Sequence, residues 1–277
     1  MKIYSAKYRC NVTTLRALKE SFVLARTYRW QILLSITKQI KATYQQDVLG
    51  LFWSILMPII PMTVYMILAQ IKVFNTSDAM PFIYYIAMGM MMWLLMASII
   101  QNVMTSIKKE KSILTTTNFP VFASMLSQLG GVLHDTGIRL VVIAAIVVWY
   151  HLDISLMAAV FAFLSLIPAI ILAFAIGMIL SIIDIVIQDT RRVVDIFLRY
   201  GLFISSVVFP FPTEGVFGFI NQFNFFNTYI NTTRDLLYFG TEIDLSVFGY
   251  TTLVGILLFM AAIKLVYNMD YKIRAYL

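Results

Sequence analysis

Apolar positions in this chain fall in long blocks separated by short polar stretches. A helix needs roughly 20 consecutive apolar residues to cross a bilayer. Six segments reach or approach that length: about 48–72, 82–104, 121–150, 154–183, 196–211 and 247–267. The first contains Pro58 and Pro61, which a membrane helix tolerates when neighbours satisfy the freed carbonyls. Gly89 and Trp93 lie in the second, Pro168 and Gly177 in the fourth. The fifth is short and ends at a Phe-Pro-Phe-Pro run. Polar turns separate the blocks: Asn75-Thr76-Ser77-Asp78, the basic stretch 106–120, His151 with Asp153, and 184–199. The pattern predicts an all-α integral membrane protein.

Two segments do not follow the block pattern. Residues 1–47 are basic, with Leu15, Leu18, Phe22 and Ala25 at helical spacing and Leu33, Ile36 and Ile40 continuing the stripe. Arg16, Lys19, Arg26 and Arg29 lie off it. This predicts a helix lying on an anionic membrane surface; a helix packed on a soluble partner is the alternative. Residues 212–246 are too polar for a span and too aromatic for a free loop.

Composition narrows the class. Apolar residues make up 60% of the 277 and charged ones 13%, about half the usual share. Mean hydropathy is +0.84. Disorder, a coiled coil and an ordinary soluble enzyme are excluded, and no second soluble domain fits. The net charge of +7 belongs to residues flanking apolar blocks, so it reports topology rather than a nucleic-acid partner. Eighteen of the 21 lysines and arginines lie in 1–47, 106–120, 184–199 and the stretch from Lys264 onward. These segments share one side if the chain crosses six times, which places both termini in the cytoplasm. The basic N-terminal stretch has no clean apolar core of a secretory signal. The single Cys10 permits neither an internal disulfide nor a cysteine metal site.

Motifs of catalysis and energy supply are missing. The sequence has no G-x-x-x-x-G-K-[ST], so it is not expected to bind ATP through a P-loop of its own. It has no H-E-x-x-H or G-x-S-x-G, and His134 and His151 are too far apart for a convincing metal site. Asp135 and Arg139 are four apart on one helical face, as a self-neutralising pair or as part of a transport path; the pair is the favoured reading. No series of acids and histidines crosses the membrane, which argues against proton or sodium drive. What remains is a helical transport subunit that takes its energy from a partner.

Five stretches then resemble, in order, the type-2 ABC exporter permeases of the polysaccharide and polyol-phosphate branch. In QQDVLGLFWSILMPII, Leu49, Gly50, Trp53 and Pro58 match the first-span signature. GMMMWLLM is similar to the second-span Gly-x-x-x-Trp, with Met92 where Pro is common. KSILTTTNFP resembles the loop that ends in Phe-Pro. QDTRRVVDIFLRYGLFISSVVFP resembles the fifth-span region, with Gln188 in place of an Arg. FNTYINTTRDLLYFG keeps Asn227 and Arg234 of its motif, with Thr228 replacing Pro.

The resemblance implies six membrane helices, an N-terminal interfacial amphipathic helix, and two short re-entrant helices before the last span. It implies a homodimer in the cytoplasmic (inner) membrane above two ATPase subunits. ATP and Mg²⁺ would belong to those subunits, with no cofactor in this chain. The cargo would be a lipid-linked glycan such as O-antigen or capsule. Teichoic acid or a small hydrophobic drug is the alternative cargo, and a membrane glycosyl- or acyltransferase the alternative class. Three residue sets follow. Lys108, Lys109, Lys111, Asn118 and Phe119 would form the ATPase coupling loop, unless the lysines only enforce topology. Trp53, Tyr65, Trp93, Phe203 and Phe209 would offer sugar-stacking faces in the channel, or belong to ordinary interface belts. Phe217, Phe223, Asn227 and Arg234 would belong to an outer gate, with a capping loop as the alternative.

Overall fold

The computed structural model describes residues 12–45, 80–151, 154–210, 223–240 and 245–276, with isolated positions between 56 and 68 and between 215 and 221. Most of the expected first span at 48–72 therefore lies outside the described residues, as do Trp53, Phe217 and the turn at 75–78. The described elements are helical, with no strand among them. They are α1 (Thr14–Thr27), α2 (Arg29–Gln45), α3 (Phe82–Lys109), α4 (Lys111–Thr116), α5 (Val121–Trp149), α6 (Leu156–Val186), α7 (Thr190–Tyr200), α8 (Phe225–Phe239) and α9 (Leu245–Tyr276).

Four of these, α3, α5, α6 and α9, are long and apolar enough to cross a bilayer. α3 is the centre of the molecule. Tyr84, Ile86, Met92, Met96, Ile99, Val103 and Ile107 are all buried, and Leu94, Ser98, Gln101 and Thr105 form a partly exposed, mostly polar stripe along one side. α6 and α5 pack along α3, and α9 packs along α6. Outward faces stay apolar: Val141 and Val148 on α5, Phe163 and Ile167 on α6, and Leu253 and Leu257 on α9 are exposed. Such faces suit lipid, where exposure carries no hydrophobic penalty.

Close approach to α3 depends on small residues. A Cβ on Gly89 would meet the carbonyl oxygen of Val207 at 2.8 Å, a backbone contact that cannot move aside. A Cβ on Gly177 of α6 would meet Val103 Cβ at 2.8 Å.

Three expectations change. The N-terminal segment is two helices, broken at Tyr28. Its protein-facing positions are Ala17, Ser21 and Ala25, while Leu15, Phe22, Leu33 and Leu34 are exposed. The large apolar residues mark the outward side, because α1 needs small residues to lie close to α9 and α5. The expected span at 196–211 is not one continuous helix. α7 ends at Tyr200, a single 3₁₀ turn covers Gly201–Phe203, and Ser206 adopts φ +49°. Carbonyls there bind side chains instead of the helix ladder: Ile204 accepts from Asn224, and Ser206 accepts from Tyr85 and Arg234. Finally, Asp135 lies 3.3 Å from His134 and makes no direct contact with Arg139, whose Nη1 is buried without a hydrogen bond although the Asp135 charge still acts on the guanidinium.

Candidate functional site

α4 sits at the basic end of the bundle, where α3, α6 and α9 finish and α5 begins. Its position is fixed by the last turns of α9. Arg274 Nη1 donates to the carbonyls of Leu114 (3.1 Å) and Thr117 (3.0 Å), and Nη2 to that of Phe119. These acceptors lie in the last turn of α4 and just beyond it, where helix carbonyls lack a partner of their own. Asp270, one turn earlier, accepts from the Val121 backbone N–H at 3.1 Å and so caps the start of α5. Its other oxygen lies 3.4 Å from Arg274 Nε. One face of α9 thus holds both ends of the Thr117–Pro120 turn.

The clamp leaves a defined outer face. Lys111, Ser112, Thr115, Thr116 and Asn118 are exposed, whereas Leu114 is buried. Phe119 is 1% exposed and packs edge-on against Tyr28, so it anchors the turn to the α1–α2 junction. The expected coupling residues are therefore divided. Lys111 and Asn118 face outward. Lys108 turns inward, 2.8 Å from Asp184 at the end of α6, where Arg191 approaches the same carboxylate at 3.4 Å. Asp184 is 1% exposed. Lys109 donates to Asn102 at 2.8 Å.

Glu110, between α3 and α4, was not singled out by the sequence. It is buried, and its Oε1 accepts from Ser35 (2.8 Å), Ser127 (2.6 Å) and Gln128 (3.0 Å). Three elements, α2, α5 and the α3–α4 turn, meet on this one oxygen. A carboxylate in a run of lysines reads as a solvated loop charge; only the hydroxyls at Ser35 and Ser127, far apart in sequence, could have hinted otherwise.

The opposite end of the bundle is built on α8. Asn224 caps it, its side chain accepting from the Asn227 backbone N–H at 3.2 Å. Gly240, at φ +87°, ends it. Asn221, Asn227, Asn231 and Arg234 form a hydrogen-bonded ladder along one face. Arg234 is 4% exposed, its guanidinium 3.6 Å from the centroid of the Tyr85 ring. It donates to Ser206 O at 3.1 Å, and its own carbonyl accepts from Tyr84 at 3.1 Å. Burial raises the Asp235 carboxyl above the usual carboxylate range, and neighbouring Arg234 opposes that shift. Of the expected gate residues, Asn227 and Arg234 are thus interior and Phe223 is exposed.

The aromatic set is also divided. Trp93 is 3% exposed; its Nε1 donates to Leu198 O at 3.1 Å and its ring meets Phe226. It ties α3 to α7 and α8. Tyr65 and Phe203 come together edge-to-face at 6.1 Å, with Phe203 exposed at its surface. Phe209 packs against the core.

The chain is 22% identical over 190 residues to the O-antigen export system permease protein RfbA of Myxococcus xanthus, covering 67% of this chain and 70% of that protein. Residues 31–238, from α2 through nearly all of α8, match the ABC-2 type transporter model. That match takes in the α3–α6 core, the α4 turn and the polar ladder, and the chain belongs to the ABC-2 type transporter family.

Proposed function

We propose that this chain is the permease subunit of an ATP-driven exporter that moves a lipid-linked cell-surface polysaccharide, O-antigen or capsule, across the cytoplasmic membrane. The observation that carries the coupling part is the α4 turn: a short helix with an exposed hydroxyl-rich face, held from behind by Arg274. Such a turn transmits a push because the guanidinium binds it to a membrane-length helix. Two ATPase subunits would dock on Lys111, Asn118 and the exposed hydroxyls, and would bring ATP and Mg²⁺. Lys108 would hold α3 to α6 through Asp184 rather than meet the ATPase. In this reading the permease is a homodimer with both termini cytoplasmic. It crosses the membrane six times, through 48–72 and the broken 196–211 segment as well as the four long helices.

The glycan cargo is supported by the relative's name and by the Tyr65–Phe203 pair, whose exposed ring offers an apolar face to a sugar. The α8 region would form the outer gate, with Phe223 toward the path and Arg234 as its buried pivot. Depleting the protein in its own host tests the cargo. A lipid-linked glycan is expected to accumulate on the inner leaflet while surface glycan falls. Unchanged surface glycan, with no such intermediate building up, would remove polysaccharide from the proposal.

A further inference from the structure

Beside Glu110 lies a cavity of about 350 Å³, lined by α2, α3 and α5. Its charged lining is balanced: Lys38 and Lys109 against Glu110 and Asp135. The carboxylate is 6% exposed, and although Oε1 carries three hydrogen bonds, Oε2 has no partner. An ionised oxygen left without a donor in so buried a place is costly. The cavity therefore calls for a ligand that brings an N–H donor to Glu110.

The rest of the lining decides what else that ligand carries. A simple cation would face Lys38 and Lys109, and a simple anion would face Glu110 and Asp135. A zwitterion meets both pairs. Lys109 is held at the cavity by Asn102, and Lys38 lies on the exposed side of α2. The outer face of α2 indicates where the zwitterion comes from. Trp30, Leu33 and Leu34 are exposed, and Arg29 stacks over Trp30 at 5.5 Å. Trp beside a basic residue suits the headgroup level of a bilayer.

We propose that this cavity binds the headgroup of a phosphatidylethanolamine-type lipid, its phosphate near Lys38 and Lys109 and its primary ammonium on Glu110 Oε2. The inference rests on the membrane setting of the chain and needs neither the ATPase nor the glycan. The ammonium requirement makes it selective. Phosphatidylcholine has the same charges, but its quaternary nitrogen has no N–H to donate. Phosphatidylglycerol has the phosphate and no cation.

The full chain reconstituted in nanodiscs holding equal amounts of these three lipids, then extracted and analysed by native mass spectrometry, tests the assignment. Phosphatidylethanolamine is expected to be retained over each of the others by about tenfold, the worth of one charge-assisted hydrogen bond. Glu110→Gln should erase the preference. Because that change touches a buried network, Lys38→Gln, on the exposed side of α2, is the control for folding and should lower retention of all phosphate headgroups together. Equal retention of the three lipids by the unaltered chain would overturn the proposal, as would a phosphatidylethanolamine preference that survives Glu110→Gln. Soluble glycerophosphoethanolamine should not raise the melting temperature of detergent-solubilised protein. If it does so as well as the lipid, the site serves a soluble zwitterion and the lipid assignment is wrong. Export assays play no part, so failure of the polysaccharide reading would leave this result standing.

Discussion

Arg274→Ala is expected to uncouple ATP hydrolysis from export while leaving membrane insertion intact. In the folded chain the guanidinium satisfies three carbonyls, one in α4 and two in the turn after it, and lies beside Asp270, which caps α5. Hydrogen bonds to a charged donor contribute about 1.5–3 kcal/mol each, less where water reaches them, and this side chain is 22% exposed. Losing the set should cost roughly 2 kcal/mol locally, enough to lower the population of the docked turn more than tenfold. The backbone acceptors remain, and water can reach them, so the bundle itself should survive. Arg274→Lys should give an intermediate result, since an ammonium keeps the charge but lacks the planar fork that spans several carbonyls. The assay is ATP turnover against glycan export in the same membranes. Export at the unaltered rate in Arg274→Ala would show that the clamp does not carry the stroke.

A larger loss of stability is expected at the other end of the bundle. Arg234→Ala removes a buried guanidinium that stacks on Tyr85 and donates to Ser206 O, which keeps its bond from Tyr85, and to half-buried Asn231. A desolvated cation–π contact is worth about 2 kcal/mol, and a hydrogen bond from a charged donor about 1.5–3 kcal/mol, less where water reaches it. The expected change is about 3 kcal/mol, read as a lower melting temperature in detergent. Tyr85 allows the contributions to be separated. Tyr85→Phe keeps the ring under the guanidinium and loses only the bond to Ser206. Tyr85→Leu loses both. If Arg234→Ala is as destabilising in the Tyr85→Leu background as alone, the two side chains are not coupled and the stacking account fails.

The four long helices were legible because a membrane demands unbroken apolar length, and little else produces it. Pro120 marked the start of α5 for the same local reason that the structure shows, a restricted residue just before the helix. The face of α1 was not legible. Periodicity locates an apolar stripe but not the side on which lipid lies, and here Ala17, Ser21 and Ala25 turned inward. The segment at 196–211 misled for a tertiary reason. Its apolar run is suited to a helix, yet its carbonyls are claimed by Tyr85, Asn224 and Arg234, residues from elsewhere in the chain. Arg274 was read as a topology charge, which basic residues at membrane ends usually are, and Lys108 as part of the ATPase coupling loop. That each also fastens one helix to another depends on partners about 76 and 160 positions away, Asp184 and Leu114.

Reconstitution in proteoliposomes tests the central claim most directly. The chain is assembled with the ATPase that co-purifies from its host, and a lipid-linked glycan is supplied to the outer face of the vesicles, the side that carries the ATPase. ATP should drive the glycan into the lumen, where added glycosidase cannot reach it, and the chain alone should hydrolyse no ATP and move nothing. Robust ATP turnover by the purified chain without any partner, or glycan protection that is the same with and without ATP, would contradict the account.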